Sequence, residues 1–131
     1  SGDGELRIEI EQLIHKLDLS NEVILLGRRN DIPKLMSACD VFVLSSDYEG
    51  LPTVLIEAMA CQAHVVSTDV SGAHEIINNY GEVVQVNNSA KLAVAINNRM
   101  HNLDKNLDGC MFVNKKFDLN TIADKWIELY R

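Results

Sequence analysis

Two glutamates separated by seven residues mark the stretch of the chain best suited to chemistry. The segment SDYEGLPTVLIEAMA, residues 46–60, passes from a polar loop into an almost wholly apolar run that still keeps Glu57. A carboxylate at that position can accept two hydroxyl hydrogen bonds, as from the vicinal diol of a ribose. Glu49 lies earlier, in the loop, where it could meet a second polyol such as a sugar ring. The pair therefore suits a ligand with two hydroxylated ends.

The residues between the two glutamates favour an anion. Gly50 lets a backbone approach a ligand closely, and Pro52 fits the first position of a helix. The N–H groups of Thr53 and Val54 then become donors at the positive end of a helix dipole, an arrangement that favours phosphate. A diol, a phosphate and a second diol together describe a nucleotide sugar. Spacing alone leaves open the ordinary alternative of a solvated surface glutamate beside a Gly-Leu-Pro turn.

The elements around this stretch alternate between short apolar runs and helical periodicity. Strands are predicted at Val23–Leu26, Val41–Leu44, His64–Ser67 and Glu82–Val86. Helices are predicted at Gly4–Leu17, Asp31–Ala38, Thr53–Ala60, Gly72–Ile77, Ser89–Met100, Leu103–Lys115 and Leu119–Tyr130. This order predicts an α/β, Rossmann-like parallel sheet with helices on both faces. In such sheets ligands bind beyond the carboxyl ends of strands, where the loop that follows Leu44 lies.

Composition narrows the class of protein. A length of 131 residues suits a single domain, 1–131, and a net charge of −7 argues against a nucleic-acid partner. The three cysteines are widely spaced without a CxxC pair, and the four histidines are scattered. The sequence therefore predicts neither a disulfide framework nor a metal site. No Asp-x-Asp pair is present to hold a metal-bound diphosphate.

The same residues resemble a known family. The segment SDYEGLPTVLIEAMA is similar to the Glu-x7-Glu signature of the retaining glycosyltransferases of family 4, which have the two-domain GT-B fold. The flanking segments NEVILLGRRNDIPKLMSACDVFVLSS, HVVSTDVSGAHEII and FDLNTIADKWIELYR resemble the regions around that signature. The resemblance covers essentially the whole chain. It implies a partial C-terminal, donor-binding domain of a GT-B enzyme, a hexosyl- or N-acetylhexosaminyl-transferase of glycan or polysaccharide biosynthesis.

The resemblance also implies roles for individual residues. Glu57 would bind the ribose hydroxyls of a nucleoside-diphosphate sugar, with a UDP-sugar favoured, and Glu49 would act beside the transferred sugar as the catalytic residue. The donor-binding set implied by the resemblance is Gly27, Arg28, Gly50, Leu51, Thr53, Val54 and Glu57. Family members hold the diphosphate with protein groups, so no metal and no separate cofactor is expected.

Two positions depart from the family pattern. Pro52 stands where many members have glycine, which removes one backbone donor. Gln62 stands where a glycine commonly ends the helix, and a left-handed backbone there would strain a glutamine.

The family resemblance also has implications for the partners and the location of the protein. The resemblance implies an N-terminal domain that binds a glycan or lipid-linked acceptor, so this chain alone is expected to be inactive. The truncated sheet is expected to expose an edge through which the fragment could self-associate. A cytoplasmic protein, or one peripheral at the inner face of the membrane, is the expected location. A stand-alone nucleotide-sugar binding module and a nucleotide-sugar 2-epimerase are the alternatives.

Overall fold

The computed structural model describes residues 4–101 and 104–129 as alternating helices and strands. In chain order the elements are α1 (Arg7–Lys16), α2 (Ile32–Ala38), β1 (Val41–Leu44), α3 (Thr53–Ala60), β2 (His64–Thr68), α4 (Ala73–Ile77), β3 (Gly81–Val84), α5 (Ser89–Met100), α6 (Leu107–Lys116) and α7 (Leu119–Leu129). The chain divides into two compact units, Ser1–Ile32 and Pro33–Arg131.

The second unit is built on a parallel sheet with the strand order β1-β2-β3. Val41 of β1 aligns with His64 of β2, and Val65 of β2 aligns with Gly81 of β3. All five residues of β2 are buried. Because successive side chains of a strand point to opposite faces, this burial means that the central strand is covered on both sides. The predicted fold class is confirmed.

Helices cover the sheet and supply most of the core. Helices α3 and α4 pack on each other, α3 also packs on α6, and α5 packs across all three strands. The largest fully buried apolar side chains are Leu55, Met59, Val65, Val66, Ile76, Ile77 and Val113. Burying each of these side chains contributes on the order of 1.5–3 kcal/mol, so α3, β2 and α4 form the stable centre of the unit.

A buried asparagine joins three elements at the amino-terminal ends of β2 and β3. The side-chain amide of Asn106 donates to the backbone oxygens of Ala63 and Tyr80 at 3.3 and 2.9 Å. Its side-chain oxygen accepts from the Gly109 N–H at 3.1 Å and so caps α6. Residues just before β2 and β3 are thereby tied to the start of α6.

One predicted strand is wrong. Val23–Leu26 forms neither a strand nor a helix, and Ile24 is 78% exposed. An apolar run becomes a strand only when its backbone groups pair with a neighbouring strand, and the sheet formed by the described residues contains β1, β2 and β3 alone. In the first unit, α1 has no buried residue, and its apolar Ile8 and Leu13 are more than half exposed.

Other elements differ from the predictions mainly at their ends. Helix α1 begins at Arg7 rather than Gly4, β3 spans Gly81–Val84 rather than 82–86, and α6 begins at Leu107. The predicted ends at Leu103 and Tyr130 lie outside the described residues. The bounds of β1, α3 and α5 agree with the predicted ones.

Candidate functional site

The loop that follows β1 is fastened to the neighbouring strand. We call residues 46–52, between β1 and α3, the signature loop. Thr68, the last residue of β2, places its hydroxyl 2.5 Å from the backbone oxygen of Ser46 and 3.3 Å from that of Leu44. Thr68 is 4% exposed, so this hydrogen bond forms away from bulk water. The start of the signature loop is therefore fixed at the carboxyl edge of the sheet.

Glu49 is held within the signature loop. Its carboxylate oxygen Oε1 accepts a hydrogen bond from the Ser46 hydroxyl at 2.7 Å. Glu49 is half-buried, whereas the neighbouring Tyr48 is 84% exposed. The structure thus places the predicted catalytic carboxylate beyond the end of β1 and gives it a defined orientation.

Two details at the start of α3 differ from the prediction, although the helix has its predicted bounds. Pro52 is the N-cap residue rather than the first helical residue, which is Thr53. The Thr53 N–H donates to the Leu51 backbone oxygen at 2.8 Å, so the prediction that it is a spare donor is wrong. The reason is a tight local turn that the sequence pattern does not reveal. Val54 occupies the second helical position, where the N–H has no intrahelical acceptor, and it is the donor best placed for an anion.

Glu57 lies on the exposed side of α3. It is exposed, as is Thr53 one turn earlier, while Leu55, Ala58 and Met59 are buried. This geometry explains why the apolar run contains the charged residue Glu57: its carboxylate projects from the solvent-exposed side of a helix that otherwise packs against the core.

The turn after β2 completes this edge. Gly72 has a φ of 80°, and a Cβ added there would lie 3.3 Å from Leu51 Cδ1 and 3.5 Å from Pro52 Cδ. At Gly50, in contrast, no atom of the described residues lies within 4 Å of an added Cβ. The second unit therefore brings Glu49, Gly50, Leu51, Val54 and Glu57 together along one loop and one helix.

Gly27 and Arg28 belong to the first unit. Gly27 has a φ of 63°, a left-handed conformation that explains a glycine at this position, and Arg28 is exposed. Next to them, the Arg29 guanidinium donates two hydrogen bonds to the Asp31 carboxylate, at 2.8 and 2.6 Å. The hydrogen bond from Arg29 holds the pKa of Asp31 below its usual value. Arg29 is thus engaged locally, within its own loop.

Sequence reasoning missed Thr68 and Ser46 and anticipated the strain at Gln62. The contact of Thr68 joins residues more than twenty positions apart, which no local pattern signals. Ser46 stands three residues before Glu49, a spacing at which serine hydroxyls often bond nearby groups, and that spacing could have been noticed. Gln62 has a φ of 65°, so the residue that replaces the common glycine does adopt the left-handed conformation.

Among residues 4–101 and 104–129, no group of three or more His, Cys, Asp or Glu side chains could hold a metal ion. Within the same ranges no helix has both the length and the apolar character needed to cross a membrane. The three cysteines are free and half-buried, and burial raises the pKa of the Cys39 thiol.

Comparison with known proteins identifies the family. Residues 1–108 match the family profile described as "Glycosyl transferases group 1". The chain is 42% identical over 90 residues to the N-acetylgalactosamine-N,N'-diacetylbacillosaminyl-diphospho-undecaprenol 4-alpha-N-acetylgalactosaminyltransferase of Campylobacter jejuni, covering 66% of this chain and 25% of that protein. It is 34% identical over 119 residues to the N,N'-diacetylbacillosaminyl-diphospho-undecaprenol alpha-1,3-N-acetylgalactosaminyltransferase of the same organism, covering 85% of this chain and 31% of that protein.

A solved structure agrees with this result. The structure of Anabaena HepE, in complex with UDP and glucose, superposes with a TM-score of 0.84 at 32% identity, over 94% of this chain and 35% of that one. The structural neighbours are GT-B glycosyltransferases. The chain spans between a quarter and about a third of the length of these matched proteins.

Proposed function

Because this chain belongs to the glycosyl transferases group 1 family, we propose that it forms the donor-binding part of a retaining, family 4 glycosyltransferase. The intact enzyme transfers a sugar from a nucleoside-diphosphate sugar to an acceptor. The observation that carries this proposal is the continuous edge formed by the signature loop and α3. That edge presents a held carboxylate at Glu49, a helix N-terminus at Val54 and an exposed carboxylate at Glu57.

Each part of a nucleotide sugar has a matching group on this edge. Glu57 accepts hydrogen bonds from the two ribose hydroxyls. The Val54 N–H, at the positive end of the α3 dipole, binds the diphosphate together with main-chain atoms from Gly50 and Leu51. Glu49 meets the hydroxyls of the transferred sugar and is the catalytic residue. Thr53 contributes its side chain rather than its N–H, which is already bonded.

Base contact is proposed for Gly27 and Arg28 on the ground of the family resemblance. Gly27 has a left-handed backbone with a φ of 63°, and a glycine permits close approach of a ligand. We assign base contact to this backbone rather than to a side chain. The favoured donor is a UDP-sugar, because the HepE structure that this chain resembles was solved with UDP and glucose.

The acceptor and the setting follow from the relatives. Two of them are named as N-acetylgalactosaminyltransferases acting on diphospho-undecaprenol-linked sugars. We accordingly propose a hexosyl- or N-acetylhexosaminyl-transferase of glycan or polysaccharide biosynthesis, acting on a glycan or lipid-linked acceptor at the cytoplasmic face of a membrane. Residues of the intact enzyme outside this chain bind the acceptor, so the chain alone is inactive.

The test is calorimetric titration of the full-length enzyme, and in parallel of this chain, with UDP, GDP and ADP in the presence of a chelator. We expect saturable binding of UDP by the full-length enzyme, with much weaker binding of the other two nucleotides. Retained binding in chelator supports a diphosphate held by protein groups. Absence of nucleotide binding by the full-length enzyme would contradict the proposed donor site, and loss on adding chelator would contradict its metal independence.

A further inference from the structure

We propose that Thr68 and Ser46 are positioning residues that together orient the Glu49 carboxylate, an inference that rests on the proposed function of Glu49. The structure connects the three residues through two successive hydrogen bonds: from the Thr68 hydroxyl to the Ser46 backbone, and from the Ser46 hydroxyl to Glu49. Nothing in the Glu-x7-Glu spacing itself requires either contact.

The first hydrogen bond is donated by Thr68, whose position in the sheet is rigid. Thr68 ends the central strand, where β2 is paired with β1 on one side and with β3 on the other. Thr68 aligns with Val84 of β3, and the next residue, Asp69, donates its N–H to the Val84 oxygen at 2.7 Å. The buried Thr68 hydroxyl therefore has little freedom, and the Ser46 oxygen that accepts from it is fixed to the sheet.

The second hydrogen bond, from the Ser46 hydroxyl, restricts the Glu49 carboxylate. Ser46 accepts through its backbone oxygen and donates through its hydroxyl, so a fixed backbone position becomes a fixed side-chain contact at 2.7 Å. A hydroxyl that donates to an ionised carboxylate forms a stronger hydrogen bond than a neutral pair does. It also removes rotamers that a glutamate on a loop would otherwise populate. Ser46 bonds to one of the two carboxylate oxygens, and the carboxylate retains further acceptor sites for a sugar hydroxyl.

The two positioning residues do not touch the donor in this proposal, so their loss should affect turnover and leave donor affinity nearly intact. We expect Ser46→Ala in the full-length enzyme to lower kcat roughly tenfold, the effect of losing one hydrogen bond to a charged group. The KM for the donor should change less than about twofold, because the groups assigned to ribose and diphosphate remain. Ser45→Ala is the matched control, since it removes an exposed serine hydroxyl one residue earlier, and it should retain kcat.

Thr68 is tested with two substitutions. Thr68→Val keeps the shape of the side chain and removes the hydroxyl, so kcat should fall as in Ser46→Ala. Thr68→Ser keeps the hydroxyl and should restore most of kcat. If Thr68→Val does not fold, Ser46→Ala and Thr68→Ser still decide the question, because the first must lower kcat and the second must retain it.

A double-substitution cycle separates positioning from general stability. With Glu49→Gln already present, adding Ser46→Ala should change kcat by less than about twofold, because the carboxylate that Ser46 orients is gone. A purely structural role for Ser46 would instead lower kcat by the same factor in both backgrounds and would lower the melting temperature.

The outcomes distinguish this inference from the proposed function. If Glu49→Gln lowers kcat while Ser46→Ala and Thr68→Val do not, the positioning role is refuted and the role of Glu49 stands. If Glu49→Gln leaves kcat unchanged, the proposed catalytic role of Glu49 is refuted, and the positioning inference is refuted with it.

Discussion

Gly72 lies directly against Leu51, so that a Cβ added to the glycine would stand 3.3 Å from Leu51 Cδ1. The turn between β2 and α4 therefore supports the signature loop from the side opposite its start, where Thr68 holds Ser46. The loop that carries Glu49 is thus bonded at its start to the last residue of β2 and contacts, at its end, the turn that follows β2. A donor would meet a preformed loop, which reduces the entropy lost on binding.

Gly72→Ala should destabilise the fold and weaken donor binding. The φ of 80° disfavours any residue with a Cβ, and the added methyl group would lie tightly against Leu51, at 3.3 Å, and in ordinary contact with Pro52. We expect a loss of about 1–3 kcal/mol in the free energy of unfolding, measured by urea denaturation, and reduced UDP affinity by calorimetry. An unchanged unfolding free energy would mean that the turn relaxes away from the signature loop.

Gly50→Ala, in the signature loop, should leave the stability of the fold unchanged while it weakens donor binding. In the part of the chain that the structure describes, no atom lies within 4 Å of a Cβ added at Gly50, and the φ of Gly50 is not positive. The unfolding free energy should therefore stay within about 0.5 kcal/mol. Affinity for UDP-sugar should nevertheless fall, because the methyl group fills space that we assign to the donor. Gly4→Ala is the control, since it too meets nothing within 4 Å and lies outside the proposed site. Full affinity in Gly50→Ala would remove this glycine from the donor site.

The sequence predicted the helices and strands that local residue patterns determine. It missed contacts between residues that are far apart in the chain. Strand β1 and helix α3 have the predicted bounds because an apolar run ends at polar residues in one case and follows a proline in the other. Val23–Leu26 has the same apolar character, but a strand forms only where a neighbouring strand pairs with it, and the local sequence does not reveal such a partner.

The candidate site shows the same division. Glu49, Val54 and Glu57 could be placed from spacing, because one turn of helix and one loop determine their order along the edge. The bonded state of the Thr53 N–H depends on the backbone dihedral angles of a three-residue turn. The hydroxyl of Thr68 reaches Ser46 only because β1 and β2 are adjacent and parallel, and this pairing is a feature of the tertiary structure.

Glu57→Ala should weaken UDP binding by the full-length enzyme more than tenfold. The substitution removes the acceptor for both ribose hydroxyls, and hydrogen bonds to a charged group contribute about 1.5–3 kcal/mol. Because Glu57 is exposed, the melting temperature should not change. Glu128→Ala, at an exposed position on α7, is the control for removing one negative charge. Equal affinities of both variants and of the unaltered enzyme, measured by calorimetry, would exclude Glu57 from the donor site.

Gln62→Gly should stabilise the fold. The φ of 65° strains a residue with a Cβ, and glycine adopts it freely, so the gain should be about 1 kcal/mol after the larger backbone entropy of glycine in the unfolded chain is counted. Its backbone hydrogen bonds to Met59 and Asn106 need no side chain and are retained. Gln85→Gly, at a residue without a positive φ, should instead destabilise by about 0.5–1 kcal/mol. Destabilisation of the same size in both variants would show that the left-handed backbone at Gln62 carries no strain.

Asn106→Ala should be among the most destabilising single changes away from the apolar core. The side chain satisfies the backbone oxygens of Ala63 and Tyr80 and the N–H of Gly109, and Asn106 is 8% exposed. Alanine would leave these three groups without that partner, at a cost of about 3 kcal/mol in the free energy of unfolding. Asn88→Ala is the matched control, because Asn88 caps α5 through one bond, to the Lys91 N–H, and its loss should cost only about 1 kcal/mol. Urea denaturation of the two variants would contradict this account if the losses were equal, because Asn106 would then act as a helix cap alone and would not join α6 to the starts of β2 and β3.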